Sequence, residues 1–376
     1  MPVVITSFFI IIFLLDIYIY FSFIHKTTTA KKIIFLIQFL LNITLMIILC
    51  TGHISGIVIK LFICLFFPKL LFVIISIIGR IFGLINHNIY TIFNYIGVVI
   101  LILSISAAVY GSFFGWKHLE IKETNLFFDN LPKKFDNYRI VQLSDIHVGA
   151  FGENTKFVKR IIDETNKLNP DLIVFTGDIV DTEAEELIPF LNLFPLLKAK
   201  DGVISIIGNH DYCFYGNHSK EDQIKNFEKV KQYEKEFGWN LLLNENKVIK
   251  CGNDSIAVIG IENGSKPPFP DFSDLTKALK NISNNTFKIL LSHDPIYWRH
   301  AVVDKTNIDL TLSGHTHAAH LRIGKISPAS WFYNEWKGLH IKGKQQLYIS
   351  TGLGGTLQFR FGAWPQIELI TLKYKK

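Results

Sequence analysis

The chain contains 376 residues with a formal net charge of +7, and 49% of the residues are hydrophobic. This length suits two domains or one large domain, and the four cysteines show no paired spacing, which argues against a disulfide scaffold or a thiolate zinc site. The positive charge forms no long basic run, and no zinc finger or aromatic RNA-binding signature accompanies it. The composition therefore argues against nucleic-acid binding and is compatible with attraction to anionic lipid.

The N-terminal part of the chain, residues 1–112, consists mostly of Ile, Leu, Phe and Val. Its first apolar run is ~20 residues long, enough to cross a bilayer as a helix. No positive segment precedes this run and further apolar segments follow it, so we interpret it as a span rather than a signal peptide. The third segment, interrupted by Pro68, fits one kinked span or an interfacial helix followed by a span. About four transmembrane helices are predicted, at residues 3–24, 33–50, 54–86 and 92–110.

The basic residues near the ends of these spans predict the topology of the chain. Lys26, Lys31 and Lys32 lie in the first loop and Arg80 in the third, which places both loops in the cytoplasm and the polar C-terminal part outside. We therefore expect an integral cell membrane protein with an extracytoplasmic polar domain. Asp16 is the one acid in the first span; we interpret it as an interfacial or helix-packing residue, with an intramembrane functional group as the alternative.

Residues 113–136 are predicted as a linker, and residues 137–376 have the composition of a globular domain. In its first half, apolar strands alternate with amphipathic helices, which predicts a sheet covered by helices. Short strands after residue 239 predict a second, more antiparallel sheet. The predicted strands of the first half are 138–143, 171–175 and 202–207, and the predicted helices are 154–168, 183–197 and 219–237. The later strands are 241–243, 247–250, 255–261, 288–291, 309–312, 347–350 and 367–372.

Polar side chains follow five of these strands directly, and we expect them at the same end of one sheet. Carboxylates, imidazoles and a neutral amide oxygen are ligands that suit manganese, iron or zinc. A single cluster of this kind is more often a capped turn, but five are hard to obtain by chance. The clusters contain Asp145 and His147, Asp178 and Asp181, Asn209 with His210 and Asp211, His293, and His315 with His317.

The ordered blocks Asp-x-His, Gly-Asp-x-x-Asp, Gly-Asn-His-Asp, His and Gly-His-x-His resemble those of the metallophosphoesterase superfamily, the calcineurin-like phosphoesterases, over about residues 137–372. Residues 260–263, 327–328 and 348–355 resemble the bacterial membrane-anchored branch, which carries N-terminal spans. The resemblance implies an α/β fold, a two-sheet β-sandwich flanked by helices, behind an all-α transmembrane region. At the site entrance, Ala318-Ala319-His320 departs from the Gly-Gly-Gln run of many relatives.

The resemblance also implies a site for two metal ions bridged by Asp178. One metal would take Asp145, His147, Asp178 and His317, and the other Asp178, Asn209, His293 and His315. His210 would be the general acid or transition-state stabiliser, and Asp211 would orient His210. Asp181 would support a ligand or cap the following helix.

Several residues outside this set have two open interpretations. His300, His320, His340 and Arg360 are candidates for the pocket rim, with a solvated or structural role as the default. An aromatic group forms either a lipid-facing lip or an ordinary core cluster; its members are Trp298, Trp331, Phe332, Tyr333 and Trp336.

The resulting expectation is a membrane-anchored phosphoester hydrolase that uses two metal ions, manganese, iron or zinc, and a metal-activated hydroxide. Its substrate would be a phosphomonoester, phosphodiester or pyrophosphate, and the tether favours a lipid-linked one. A UDP-diacylglucosamine-type pyrophosphohydrolase is one alternative. A non-catalytic membrane sensor that binds metal or nucleotide is another, whereas a transporter is disfavoured. The oligomeric state stays open.

Overall fold

The computed structural model describes residues 2–50 and 56–375. Their contacts divide the chain into two compact units. One unit runs to Phe114 and also contains Leu357–Phe359, and the other contains Gly115–Thr356 and the C-terminal part from Arg360.

The described N-terminal residues of the first unit form helices joined by short turns. Three helices among the described residues are long and apolar enough to cross a membrane, Thr29–Ile48, Ile57–Phe82 and His87–Lys117, and Ile10–Ile24 is a shorter apolar helix. Pro68 lies inside an unbroken third helix, so that segment is one helix rather than two. The number of spans stays a prediction. The helices are α1 (Pro2–Ile19, continued by a π-helical turn), α2 (Thr29–Cys50), α3 (Gly56–Phe82) and α4 (His87–Phe113).

Asp16 has charged and polar partners inside this helical unit. Its Oδ1 lies 2.7 Å from the Lys69 ammonium on α3, and the Asn42 amide on α2 donates to its Oδ2 at 3.0 Å. All three side chains are buried. These three residues are remote in sequence, and the packing of α1, α2 and α3 brings them together. Burial of a charge in apolar surroundings is costly unless it is paired, so these contacts link the three helices.

The second unit contains two six-stranded sheets. The first has the order β1-β12-β2-β3-β4-β5, and every neighbouring pair is parallel except β12 and β2. Helices α5 (Lys156–Lys167) and α6 (Lys220–Glu236) connect strands of this sheet. The strands are β1 (Glu120–Phe128), β2 (Arg139–Leu143), β3 (Leu172–Phe175), β4 (Val203–Ser205), β5 (Asn240–Leu241) and β12 (Gln366–Tyr374).

The second sheet has the order β10-β11-β9-β8-β7-β6. Its three central pairs are parallel and only the two edge pairs are antiparallel. The expectation of a more antiparallel sheet is therefore wrong; strand length and polarity alone do not encode strand direction. The strands are β6 (Glu245–Cys251), β7 (Asp254–Gly260), β8 (Phe287–Leu291), β9 (Leu310–Ser313), β10 (Gly338–Lys342) and β11 (Gln345–Ile349), and the short helix α7 (Leu275–Ala278) lies between β7 and β8.

The two sheets pack face to face over a shared apolar core. Alternate residues of one strand serve opposite faces, so Leu172 and Val174 enter this core, whereas Ile173 and Phe175 pack in the cluster that includes α5 and α6 residues. On the second sheet, Ile289 and Leu291 face the shared core. Strands that are buried on both faces have continuous apolar sequences, and the strands of this core fit that pattern. The prediction of two sheets flanked by helices is confirmed.

Two segments differ from the sequence-based expectation. Residues 113–136, predicted as a linker, contain β1, whose nine residues pair with β12 in parallel. Residues 183–197, predicted as a helix, form two 3₁₀ segments instead, Ala184–Phe190 and Phe194–Leu196. Pro189 and Pro195 lie within these segments, and a proline ring removes the donor that an α-helix needs at that position.

Candidate metal centre

The polar clusters lie after β2, β3 and β4 of the first sheet and after β8 and β9 of the second. They therefore come from two sheets rather than one, which corrects the expectation of a single sheet edge. The sheets bring these ends together: the imidazole of His293, after β8, lies 3.1 Å from the carboxylate of Asp178, after β3.

Asp145, His147, Asp178 and His317 place their ligand atoms within 4.8 Å of one another. Nε2 of His147 lies 3.5 Å from Asp178 Oδ2 and 3.3 Å from Nε2 of His317. Nε2 of His317 lies 3.4 Å from Asp145 Oδ1. These are the four residues that the resemblance assigns to one metal.

A second cluster shares Asp178 and adds His293 and His315. Nδ1 of His315 lies 3.2 Å from Nε2 of His293. Asn209 is buried, and its Oδ1 has no hydrogen-bond partner among the described residues, whereas its Nδ2 donates to Tyr215. The next residue, His210, donates its backbone N–H to Asp178 Oδ1 at 2.8 Å.

The donor set fits metal ions by its chemistry. Two imidazole pairs, His147 with His317 and His293 with His315, bring ring nitrogens to 3.3 and 3.2 Å. Ring nitrogens at this distance share either a proton or a cation. A cation with bonds of about 2.1 Å keeps neighbouring ligand atoms roughly 3 Å apart. The partnerless oxygen of buried Asn209 is a further acceptor that a cation would satisfy.

Hydrogen bonds behind the rings fix which nitrogen faces the cluster. Nδ1 of His293 lies 2.7 Å from the carbonyl oxygen of Thr176, and Nδ1 of His210 lies 2.7 Å from that of Asp181. A carbonyl only accepts, so both Nδ1 atoms carry the proton and Nε2 is left for a ligand or substrate. Asp145 is held in turn, because the backbone N–H of His315 donates to its carboxylate.

Asp211 does not orient His210, which corrects that interpretation. Its buried carboxylate accepts four backbone N–H bonds, from the residues after β3 and from Gly208, and the Asp181 carbonyl holds the His210 ring instead. Asp211 therefore fixes the turn that carries Asp178. The four donors are the N–H groups of Asp178, Ile179, Val180 and Gly208.

The electrostatics of the cluster combine a strongly stabilised Asp178 carboxylate with imidazoles whose pKa values are shifted in opposite directions. Burial alone would raise the pKa of Asp178, but the surrounding imidazoles, those of His293 and His210 foremost, hold that pKa well below its usual range. Burial opposes the charged form of His293, yet Asp178 raises the pKa of His293 to about 10. Burial lowers the pKa of His315 and of His317, which favours the neutral rings that metal ligation requires.

The backbone of the site is unusual. Five of the seven predicted ligands have φ between 49° and 68°, a left-handed conformation that costs energy in residues with a side chain. Such residues persist where the surroundings over-determine them, and they cluster at functional sites. Gly208 is required for space, since an added Cβ would collide with the Asp178 carboxylate. The five predicted ligands with this conformation are Asp145, His147, Asp178, His315 and His317.

Two tyrosines complete the site, and sequence reasoning did not assign them there. The hydroxyl of Tyr333 lies 2.9 Å from Nε2 of His315. The hydroxyl of Tyr215 accepts from Asn209, and its ring lies 4.3 Å from the His210 ring. Neither follows a strand end, so the motif spacing held no signal for either one.

The remaining candidates divide between the site and the scaffold. Asp181 belongs to the site, because its Oδ1 lies 2.9 Å from Nδ1 of His147. The Arg360 guanidinium is fully buried and lies 3.2 Å from Nδ1 of His317. The His320 ring stacks 4.9 Å from the His317 ring.

Three other candidates, His340, Trp298 and Trp331, have different surroundings. His340 contacts the carbonyl oxygen of Lys337. Trp298 is a buried core residue, whereas Trp331 is 76% exposed.

Two mixed sheets flanked by helices, with an Asp/His cluster where their strands end, define a metallophosphoesterase domain. The sequence model of the calcineurin-like phosphoesterase family matches residues 138–319. An uncharacterized metallophosphoesterase of Bacillus subtilis, YkuE, is 32% identical over 256 residues, covering 65% of this chain and 82% of the relative.

Two more distant relatives match over a larger part of the chain. An uncharacterized metallophosphoesterase of Campylobacter jejuni, Cj0846, is 26% identical over 391 residues, 96% of each chain. The UDP-2,3-diacylglucosamine pyrophosphatase LpxG of Chlamydia muridarum is 26% identical over 338 residues, 75% of this chain and 99% of the relative. The chain belongs to the calcineurin-like phosphoesterase family. It is a metal-dependent phosphohydrolase.

Proposed function

We propose that this protein is a membrane-anchored phosphoester hydrolase that works with two divalent metal ions, in which residues 1–112 form the anchor of about four helices. The seven ligands would be those implied by the sequence, with Asp178 between the two metals. The observation that carries the proposal is the pair of Asp/His clusters that share Asp178, with facing imidazole nitrogens and the partnerless Asn209 oxygen beside them.

The chain's own residues determine how a substrate is oriented. Two bound cations would supply Lewis acidity to the phosphoryl oxygens and lower the pKa of water. Nδ1 of His210 is held on the Asp181 carbonyl, so its Nε2 can exchange a proton with the oxygen of the leaving group. The Tyr215 ring lies 4.3 Å from this ring, tilted by 35°, and restrains it by contact. Asp211 keeps the turn of Asp178 in place through backbone contacts, a positioning role rather than a catalytic one.

The test uses the full chain purified in detergent and supplied with manganese, zinc or iron. We expect hydrolysis of p-nitrophenyl phosphate or bis-p-nitrophenyl phosphate and about two metal ions per chain by elemental analysis. A chain that binds metal but hydrolyses neither compound would support the non-catalytic sensor. A chain with no bound metal and no activity would contradict the proposal.

A second candidate is a pyrophosphohydrolase acting on a lipid-linked nucleotide. The similarity to LpxG over 75% of the chain favours it, as do the apolar N-terminal helices. Turnover of a radiolabelled UDP-diacylglucosamine by the purified protein, with release of UMP, is the expected result. An extracytoplasmic catalytic domain would separate the enzyme from cytoplasmic nucleotides, so a cysteine-accessibility map of the loops tests the proposed topology at the same time.

A further inference from the structure

A cavity of about 280 Å³ lies beside the metal centre. Its walls include Lys266, Arg299, His300, Phe332 and Tyr333. Tyr333 belongs to both places, because its hydroxyl lies 2.9 Å from Nε2 of the predicted ligand His315. A molecule bound at the metals could therefore extend into this cavity.

The cavity carries an excess of positive charge. Lys266, Arg299 and His300 are all exposed at its walls, and Glu335 is the single acid among the lining residues. Nε of Arg299 donates to Glu335 at 2.6 Å, which balances one charge, yet the Arg299 side chain remains 51% exposed. No ion pair involves Lys266 among the described residues. Guanidinium, ammonium and imidazole groups in one concave surface are the partners that phosphate oxygens select.

The walls of the cavity are tied to the metal centre by Asp294. Its Oδ1 accepts the backbone N–H of Ile296, which starts the turn carrying Arg299, and its Oδ2 lies 3.7 Å from Nε2 of His315. The same Oδ2 accepts the Ser265 hydroxyl, next to Lys266. The segments that carry Lys266 and Arg299 are thus both anchored to Asp294, which lies beside His315.

We propose that this cavity binds a second phosphate of the substrate, adjacent to the phosphate that is cleaved, so that organic diphosphates are preferred over compounds with a single phosphate. This inference rests on the proposed hydrolase function. A monoester of a small alcohol has no group that reaches the cavity and gains nothing from its charges. The Phe332 ring, 77% exposed, offers a face to the organic part of a diphosphate.

The experiment measures competitive inhibition of p-nitrophenyl phosphate hydrolysis by the full chain. UDP is compared with UMP, and farnesyl diphosphate with farnesyl monophosphate, so that nucleotide and lipid sources of the diphosphate are distinguished. We expect a diphosphate to inhibit at least tenfold more tightly than its monophosphate in the parent protein. The pair with the larger ratio identifies the organic part.

The variants Lys266→Ala and His300→Ala should each reduce this ratio, and the double variant should bring it to about two or less. The ratio cancels any change in the reporter reaction itself. Arg299→Ala is avoided because it would leave the buried Glu335 without its partner. Lys280→Ala, an exposed lysine that does not line the cavity, is the matched control and should leave the ratio unchanged.

Equal inhibition by diphosphate and monophosphate in the parent, or an unchanged ratio in the double variant, would overturn the proposal. Failure of the hydrolase function looks different, because no reporter hydrolysis would then be seen. In that case, direct calorimetric titration of the parent and the double variant with UDP and UMP still tests the cavity, since its binding contrast does not require turnover.

Discussion

Two buried carboxylates of the molecule have contrasting surroundings. Asp16 lies in the helical unit and Asp178 in the phosphoesterase unit. Both carboxylate oxygens of Asp16 have partners within the chain: an ammonium neutralises one oxygen and an amide donates a hydrogen bond to the other. Asp178 is surrounded by imidazoles whose ring nitrogens also face one another, beside an amide oxygen that lacks a partner. The comparison teaches that burial of a charge does not itself mark a ligand site. What indicates a ligand site is a set of acceptor atoms for which the chain provides too few hydrogen-bond donors.

The largest expected effect comes from a substitution at Asp178, the carboxylate that we assign to metal binding. Asp178→Asn removes the charge shared by both clusters, so we expect a loss of hydrolytic kcat/KM of at least about 1000-fold. Elemental analysis should show fewer than two metal ions per chain. The conservative Asp181→Asn is the comparison, because it leaves the shared carboxylate intact and should retain more metal. Full activity in Asp178→Asn would reject the proposed site.

The next prediction concerns the buried ion pair between Asp16 and Lys69 in the helical unit. Lys69→Met leaves Asp16 buried without its cation, and we expect a loss of about 3 kcal/mol in the free energy of unfolding. The measurement is thermal unfolding in detergent, followed by far-UV circular dichroism. The double variant Asp16→Asn with Lys69→Met removes both charges and should recover most of the loss. Additive losses in this double-mutant cycle would show that the pair is not coupled.

A change in space rather than charge tests how closely Asp178 is held. The Cβ of Gly208→Ala would collide with the Asp178 carboxylate, and we expect activity to fall by about 100-fold, the scale for a displacement of roughly 1 Å at a reacting centre. Gly343→Ala is the control: its φ is 60° and nothing lies within 4 Å of an added Cβ. That variant should cost about 1 kcal/mol in stability and leave activity unchanged.

The smallest effect concerns a third buried carboxylate, Glu234 on α6, which has neither a cation nor a full set of donors. Its Oε2 accepts from Ser205, while its Oε1 has no hydrogen-bond partner among the described residues. Burial, together with Asp211, raises the pKa of Glu234 to about 8. The folded state therefore binds a proton that the unfolded state releases near its ordinary pKa of about 4.3. The contribution of this proton to the free energy of unfolding is therefore fully present below about pH 4.3, and it is lost as the pH rises from there to about 8.

Glu234→Gln keeps the neutral form at every pH and should flatten this slope. We expect the stability of the variant relative to the parent to increase by at least about 1 kcal/mol between pH 5 and pH 8, measured by urea unfolding at both values. The difference between the two proteins is the observable, because Glu368, whose pKa burial raises to about 7, gives both the same further slope. A constant difference across the pH range would exclude an ionising Glu234.

Much of the architecture was predictable from the sequence because its signals are local. The apolar strands β2, β3, β4, β8 and β9 were found within one or two residues, and each candidate ligand follows one of these strands. Strand direction was not predictable, since the central parallel pairs of the second sheet depend on connections around the whole domain. Strand β1 was missed because its exposed, alternating charges resemble those of a linker.

The sequence by itself determined most of the elements, the apolar N-terminal helices and the set of residue types able to hold metal. Only the tertiary structure decided their partners: Lys69 beside Asp16, Tyr333 beside His315, and the backbone contacts of Asp211 in place of a contact with the His210 ring. The physical reason is the distance along the sequence over which each interaction acts. Periodicity and turn chemistry act between near neighbours, whereas a partner far along the chain is selected by the packing of helices and sheets.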